Sequence, residues 1–201
     1  MEYKEEMDKV SYCLGLSISS NLLMSGIKSI NKEAFVSAID DAFSGKTPSI
    51  SPEEANKTLQ DFFSKVQAKM SEEALENGKK FLEDNAKNDG VKILESGLQY
   101  KVLEEGSGDK PTENDQVKCH YEGKLINGQV FDSSYKRNEP ATFPVNGVIK
   151  GWVEAIQMMN VGSKWQLYIP SELAYGSQGA GQAIGPNETL IFDVELLEII
   201  K

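Results

Sequence analysis

The 201-residue sequence has few of the side chains on which metal sites, nucleophilic catalysis and disulfide frameworks depend. It holds one histidine, His120, and two cysteines, Cys13 and Cys119. A structural zinc site needs several clustered histidines or cysteines, so we expect no metal ion and no other cofactor. The cysteines lie far apart in the chain, which argues against a disulfide framework and is typical of a reducing compartment.

Long hydrophobic runs and basic clusters are also missing. No apolar run approaches the roughly 18 residues that indicate a membrane-spanning helix. Residues 1–9 lack the basic start and apolar segment of a secretory signal, which predicts a cytoplasmic location, or a periplasmic one if a leader has been removed. The formal net charge is −10, and acidic side chains outnumber basic ones in both halves of the chain. Without a basic stripe, nucleic acid is not an expected partner.

The first half of the chain is patterned as three helices. A first helix is predicted over about residues 8–25, and a second helix is predicted to begin after Asn31 and to end at Gly45. Ser51 and Pro52, followed by two glutamates, combine an N-cap serine, a proline at the first helical position and a glutamate at the third. A long helix is therefore predicted from Pro52 to about Asn88.

The apolar face of this long helix is dense as far as Met70 and thinner beyond it. We therefore expect a helical dimerisation domain over residues 1–70, followed by a partly bare stalk and linker over residues 71–94. So few helices make a poor independent core, and pairing with a second copy of the chain would cover them. The alternative is that these helices pack on the C-terminal part of the same chain.

From Ser96 onward, short alternating runs punctuated by glycine predict strands and hairpins. The strands are predicted over residues 98–102, 117–122, 163–170 and 189–201, with a tight turn at Asn127-Gly128 and a short helix near Trp152. Residues 171–188 form a long glycine-rich loop. The predicted fold is α+β: an antiparallel β-sheet wrapped on one short helix over residues 95–201, preceded by an all-α domain and a long connecting helix.

Trp152 follows a glycine and an apolar pair, and many aromatic residues surround it in the sequence. One interpretation is that these residues are simply core. Several of them carry a polar tip, however, which is typical of an apolar pocket with a few hydrogen-bonding groups.

Other candidate sites have simpler alternatives. Cys119 and His120 are adjacent on a predicted strand, so their side chains point to opposite faces and cannot form a catalytic dyad. The glycines of residues 176–181 resemble a phosphate-binding loop only loosely, and a flexible flap is the better interpretation. Asp132 and Arg137 form either a surface ion pair of little energetic consequence or a carboxylate at the pocket edge, held by the arginine and the Tyr121 hydroxyl.

Five segments taken together resemble one known family. They are Tyr121-Glu122-Gly123, the run from Gly128 to Ser134, the run from Val148 to Trp152, the run from Ile169 to Gly176, and the run from Leu190 to Leu197. Their order and spacing are similar to those of the FKBP-type peptidyl-prolyl cis/trans isomerases. The helical first half is similar, more loosely, to the dimerisation half of the bacterial macrophage-infectivity-potentiator (Mip)-like subgroup.

The resemblance implies catalytic roles for Asp132, Tyr175 and Phe131. It implies substrate-binding roles for a second group of residues: Tyr121, Arg137, Phe143, Val148, Ile149, Trp152, Ala183, Ile184 and Phe192. Three departures affect ligand preference: Ala141 stands where many members have an aromatic residue, Ala183 where a branched apolar residue is common, and no histidine lies near Ala180.

The implied activity is acceleration of X-Pro rotation during protein folding, through non-covalent stabilisation of the twisted amide in the aromatic pocket. The implied partners are unfolded or proline-containing polypeptides, macrolide inhibitors such as tacrolimus and rapamycin, and a second copy of the chain bound through residues 1–70. The alternative function is a dimeric chaperone or adaptor whose isomerase activity is incidental.

Overall fold

The computed structural model describes residues 4–200. Residues 1–3 and 201, at the ends of the predicted helical domain and of the last predicted strand, lie outside the described range. The chain divides into two compact units, Met1–Gln67 and Ala68–Lys201. The segment boundaries expected from the sequence, at residues 70 and 94, stay predictions.

The N-terminal unit consists of helices that begin where the sequence predicts. Helix α1 spans Glu6–Met24, α2 spans Lys32–Phe43, and α3 begins at Pro52 and continues to Asn85. The side chain of Asn31 accepts a hydrogen bond from the Ala34 backbone N–H at 3.1 Å, and the Ser51 hydroxyl accepts one from the Glu54 N–H at 3.2 Å. Both predicted N-caps are confirmed, because each side chain satisfies an N–H that lacks a partner within its helix.

The apolar side chains of these helices are left uncovered within the chain. None of the described residues 4–67 is buried. Phe43 is 91% exposed, Met24 75% and Leu23 62%. Large apolar side chains are thus exposed on all three helices of this unit.

The second half of α3, expected from the sequence as a partly bare stalk, is covered on one face. Gly78 and Asn85 are buried, the ring of Phe81 lies 6.0 Å from that of Tyr168, and the Asn85 amide donates to the Gln99 side-chain oxygen at 2.9 Å. The charged side chains that suggested exposure cover only the outer face of the helix. On its inner face, Phe81 and small or amide side chains make the contacts with the rest of the C-terminal unit.

The C-terminal unit is built on a seven-stranded sheet, and every pair of neighbouring strands is antiparallel. The strands are β1 (Val91–Ile93), β2 (Gln99–Glu104), β3 (Gln116–Leu125), β4 (Val130–Ser133), β5 (Ala141–Pro144), β6 (Lys164–Ile169) and β7 (Leu190–Ile200). The order is β1-β2-β6-β7-β3-β4, with β5 also paired to β3. The predicted α+β fold class is therefore confirmed, whereas β1, β4 and β5 are strands that the sequence analysis did not predict.

One short helix, α4 (Lys150–Ile156), packs on one face of this sheet. Its buried side chains join inward-facing residues of the strands in a single core: Leu98, Tyr100, Trp165, Leu167, Ile169, Phe192, Val194 and Leu196. Side chains alternate between the faces of a strand. Gln99 and Tyr168 therefore lie on the opposite face, where they contact α3.

Replacing Gly78 with alanine is expected to destabilise the C-terminal unit. A Cβ at this position would lie 3.2 Å from the Thr189 Cβ and closer still to its hydroxyl oxygen. Overpacking of this kind costs about 1–3 kcal/mol of unfolding free energy. Urea unfolding followed by tryptophan fluorescence measures this unit, because Trp152 and Trp165 both lie in it.

The control is Gly15→Ala in α1, where an added Cβ meets nothing within 4 Å; because it lies outside the unit that the tryptophans report, the measured unfolding should not change. Helix propensity alone favours alanine at both sites by about 1 kcal/mol. Equal or higher stability of the Gly78→Ala variant would contradict the described contact.

Candidate active site

A cavity of about 690 Å³ opens between the sheet, α4 and the loop that joins β6 to β7. Its lining consists of Tyr121, Phe131, Asp132, Ala141, Phe143, Gly147, Val148, Ile149, Trp152, Tyr175, Ala180, Gly181, Ala183, Ile184 and Phe192. Every site residue predicted from the sequence therefore lines it except Arg137. A cavity of this size is within the usual range for small-molecule and cofactor sites.

Trp152 lies in the cavity wall rather than beneath other side chains, although only 5% of its surface is exposed. It occupies the first turn of α4, after an extended Val148 and Ile149. Gly151 brings the helix close to the sheet, because a Cβ there would lie 2.6 Å from the Ile169 side chain.

Aromatic rings surround the indole edge-on. The rings of Tyr121 and Phe192 lie 5.3 and 5.1 Å from Trp152 and nearly perpendicular to it, and Phe143 lies 5.5 Å away. Perpendicular pairs are a favourable arrangement for aromatic side chains. Among residues 4–200, the indole Nε1 is the buried side-chain polar atom with no hydrogen-bond partner.

Gly123 is a further determinant of the cavity that the sequence analysis missed. A Cβ at this position in β3 would lie 2.6 Å from the rings of both Phe131 and Phe192. A glycine inside a strand often marks close approach of another group. The position of Gly123 at the end of the predicted strand, two residues after Tyr121, could therefore have indicated that a side chain packs against it. Gly147 and Gly181 also line the cavity and were missed, because a residue without a side chain carries no chemical signal.

A hydrogen-bonded triad forms the polar edge of the cavity. The Tyr121 hydroxyl donates to one oxygen of Asp132 at 2.5 Å, and Arg137 donates to the other. Arg137 also donates to the Tyr121 hydroxyl oxygen at 3.0 Å. Of the two interpretations open from the sequence, the structure shows the second, in which the carboxylate lies at the pocket edge and is held by tyrosine and arginine.

The triad fixes the protonation states of its members. Burial alone would raise the pKa of the Asp132 carboxyl, but hydrogen bonds from Tyr121 and Arg137 and the arginine charge together lower it below its ordinary value. Burial, followed by the hydrogen bond to Asp132, raises the pKa of the Tyr121 hydroxyl. At neutral pH the carboxylate is therefore ionised and the tyrosine protonated, which is the state that these hydrogen bonds need.

The loop between β6 and β7 forms the remaining side of the cavity. Tyr175 is 40% exposed at its start. Further along, the backbones of Ala180 and Ile184 exchange two hydrogen bonds, at 2.9 and 3.2 Å, and close a small hairpin whose tip includes Ala183. This hairpin overlaps the end of residues 176–181, the segment that the sequence analysis interpreted as a flap.

Cys119 and His120 point to opposite faces of β3, as expected. Cys119 is fully buried in the core, and burial raises the pKa of its thiol to about 12. His120 stacks on Tyr135 at 4.7 Å, and its Nδ1 lies 2.9 Å from the Ser134 hydroxyl oxygen. The two side chains cannot exchange a proton.

Family models match both halves of the chain. Residues 108–197 match the model described as FKBP-type peptidyl-prolyl cis-trans isomerase, and residues 7–102 match the domain amino terminal to it. The FKBP-type 22 kDa peptidyl-prolyl cis-trans isomerase of Escherichia coli is 48% identical over 195 residues, which are 96% of this chain and 95% of that protein. The chain belongs to the FKBP-type peptidyl-prolyl cis-trans isomerases.

Two further relatives support the Mip-like assignment within this FKBP family. The peptidyl-prolyl cis-trans isomerase Mip of Coxiella burnetii is 48% identical over 205 residues, which are 98% of this chain and 89% of that protein. The crystal structure of FkpA from Escherichia coli matches with a TM-score of 0.71 and 40% identity, covering 98% of both chains. The resemblance inferred from the sequence is confirmed, and the enzyme is a peptidyl-prolyl cis-trans isomerase.

Two further expectations concern location and metals. None of the helices in residues 4–200 has the length and apolar content needed to cross a bilayer. Over the same range, no three or more His, Cys, Asp or Glu side chains are grouped so that they could hold a metal ion. The names of these relatives give no support to the expected cytoplasmic location.

Replacing Arg137 with leucine is expected to raise the pKa of Asp132. The change removes one hydrogen bond and the positive charge that lower this pKa, while the burial that raises it remains. Because a lowered carboxyl pKa keeps the group ionised until the pH falls through it, the variant will lose its ionised form at higher pH than the wild type. Titration of the Asp132 carboxyl carbon by NMR measures the shift.

Lys136→Leu is the matched control, since it removes a neighbouring exposed positive charge that makes no contact with Asp132 in the structure. An unchanged Asp132 pKa in the Arg137 variant would contradict the role given to the triad.

Proposed function

We propose that this FKBP-family enzyme isomerises X-Pro peptide bonds in the aromatic cavity, by binding the twisted amide more tightly than either planar form. The barrier of roughly 18–20 kcal/mol comes from amide resonance, and no covalent bond has to break. A site for this reaction needs no nucleophile and no general base. It needs a water-poor socket that holds the ring while the amide rotates.

The observation that carries this proposal is the open cavity above Trp152, with polar groups confined to its edge. In the proposed complex, Trp152, Val148, Ile149, Phe192 and Tyr121 hold the proline ring. Phe143, Ala183 and Ile184 contribute the outer apolar wall. These groups are drawn from β3, β5, α4, β7 and the loop before β7, so the ring would be held from several sides.

The polar residues are assigned to the rotating amide. Tyr175, at the cavity rim and 40% exposed, would donate a hydrogen bond to a substrate carbonyl. Phe131 and Asp132 would line the space through which the other carbonyl rotates. Arg137 would act from outside the cavity lining, by holding the Asp132 carboxylate in place.

Macrolide inhibitors such as rapamycin and tacrolimus are proposed to compete for the same cavity. Its volume of about 690 Å³ and its lining of aromatic and small or aliphatic side chains fit a large apolar ligand with a few hydrogen-bonding groups. Ala141 and Ala183 leave two positions of the lining with small side chains, which widens the cavity there.

Removing the groups assigned to the rotating amide is expected to lower kcat/KM without unfolding the domain. Asp132→Asn keeps the side-chain shape but loses the charge that both Tyr121 and Arg137 contact, and Phe131→Leu keeps an apolar wall but removes the ring. We expect a decrease of about tenfold or more for each, since roughly 1.4 kcal/mol of transition-state preference gives a factor of ten. A proline-peptide isomerisation assay measures it.

Lys136→Leu is again the control and is expected to leave kcat/KM unchanged. Thermal unfolding should show that all three variants stay folded. Wild-type kcat/KM in both the Asp132 and the Phe131 variants would overturn the assignment of the cavity as the catalytic site.

We further propose that residues 1–70 join two copies of the chain in a symmetric dimer, which binds unfolded clients as a chaperone in addition to its isomerase activity. The support is the uncovered apolar surface of α1, α2 and the start of α3, on which Phe62 is 45% exposed. A second copy presents the same surface and so would cover it in a closed pair. Two cavities in one dimer would raise the effective concentration of binding sites for a long polypeptide.

A charge placed in this surface is expected to separate the two activities. Phe62→Glu should convert the dimer to a monomer in sedimentation at micromolar concentration, because burying an unpaired carboxylate is costly. Its kcat/KM on a short proline peptide should stay unchanged, while protection of a proline-free client during refolding should be lost.

Ser64→Glu is the matched control, because it places the same charge at an exposed polar position of the same helix. A Phe62→Glu variant that remains dimeric would contradict the proposed interface. A monomer that still protects the client would contradict the link between dimerisation and chaperone activity.

A further inference from the structure

The cavity loop is tied to helix α3 at the loop's C-terminal end. The side-chain amide of Asn187 donates a hydrogen bond to the Ser71 hydroxyl oxygen at 2.7 Å, and both residues are partly buried. We call this hydrogen bond the clamp. It joins residues 116 positions apart in the chain.

Asn187 also reaches the start of the same loop. Its backbone N–H donates to the Gly176 carbonyl oxygen at 2.8 Å, and its φ of 58° is a left-handed conformation that asparagine tolerates better than most residues. Gly176 directly follows Tyr175. A continuous path of contacts therefore leads from Ser71 on the helix, through Asn187 and Gly176, to the tyrosine at the cavity rim.

A second contact lies two turns further along α3. Gly78 is buried against Thr189, which is 3% exposed and follows Asn187 by two residues. Because seven residues make about two helical turns, Ser71 and Gly78 present the same face of the helix to the loop. The segment 187–189 is thus seated on α3 at two points.

The helix is itself fixed to the sheet beyond these two points. Phe81 contacts Tyr168, and Asn85 donates to Gln99, whose own amide donates to the Leu82 carbonyl oxygen at 2.9 Å. This part of α3 is therefore held to strands β2 and β6, which gives the loop a fixed support. Neither Ser71 nor Asn187 lines the cavity.

We propose that Ser71 and Asn187 are positioning residues for peptidyl-prolyl isomerisation, and that the clamp between them holds Tyr175 and the hairpin that contains Ile184 in place for the substrate. The second half of α3 is then part of the catalytic apparatus rather than a spacer. This proposal rests on the proposed function, because it takes the cavity as the site of reaction.

The test uses full-length variants that remove the clamp from either side. Ser71→Ala removes the acceptor, and Asn187→Gly removes the donor while tolerating the left-handed backbone. Asn187→Asp is the conservative rescue, because its carboxylate has the same shape and can accept a hydrogen bond from the Ser71 hydroxyl. Ser64→Ala is the control for an exposed serine on the same helix.

Two measurements are made on each variant: kcat/KM for a proline peptide, and hydrogen exchange of the Ala180, Ile184 and Asn187 amides, with β7 amides as the internal reference. Loss of one hydrogen bond is expected to lower kcat/KM by about three- to tenfold and to speed loop exchange by a similar factor. The β7 amides and the unfolding temperature should stay near wild type. The double variant should be no worse than either single one, since both remove the same interaction.

Recovery of kcat/KM and loop protection in Asn187→Asp would support the clamp. Wild-type kcat/KM in both Ser71→Ala and Asn187→Gly would overturn the proposal, whether or not loop exchange becomes faster. Failure of the proposed function is distinguishable, because it is read from the Asp132 and Phe131 variants, in which the clamp is intact. Loop exchange does not depend on where the reaction occurs.

Discussion

The edge-on packing of aromatic rings around Trp152 is the interaction on which the site depends. The indole is inclined by 58–84° to the rings of Tyr121, Phe143 and Phe192. Rings at such angles do not stack face to face. Two glycines make this arrangement possible, since a side chain on Gly151 or Gly123 would collide with the sheet or with the rings. The cavity is therefore a product of tight packing around it.

The polar edge complements this apolar socket. The Asp132 carboxylate at the edge of the apolar cavity is stabilised by tyrosine and arginine together. The two donors, Tyr121 and Arg137, are already in hydrogen-bond contact with the carboxylate in the structure. Preorganised polar groups of this kind are the usual way in which enzymes favour a transition state without covalent chemistry.

Much of this structure could be predicted from the sequence where local chemistry decides the outcome. Asn31 and Ser51 predict helix starts because their side chains can accept hydrogen bonds from backbone N–H groups of the first turn. The long strands β3 and β7 show a clear alternation of apolar and polar residues. The cavity residues were predicted through family resemblance, since the spacing alone left the role of Asp132 open.

The predictions failed where contacts are made by small or polar residues. The second half of α3 has a charged outer face, and most of its inner contacts use Ser71, Gly78 and Asn85, which are not hydrophobic; Phe81 is the exception. Strands β1, β4 and β5 have only three or four residues each, too few for a periodic signal. Gly123 is part of the Tyr121-Glu122-Gly123 segment. Its steric role could not be predicted, because it depends on the rings of Phe131 and Phe192, which lie on other strands.

Helix α3 runs without interruption from Pro52 to Asn85, so its residues belong to both compact units. A truncated chain that begins at Ala68 would retain the helical cover over Tyr168 and Gln99, whereas one that begins at Val91 would strip it away. The shorter fragment would expose the ring of Tyr168 to water and remove the partners that α3 supplies to the side-chain amides of Gln99 and Asn187. A fragment cut immediately after the end of α3 would therefore be prone to aggregate, even though every residue that lines the cavity would still be present.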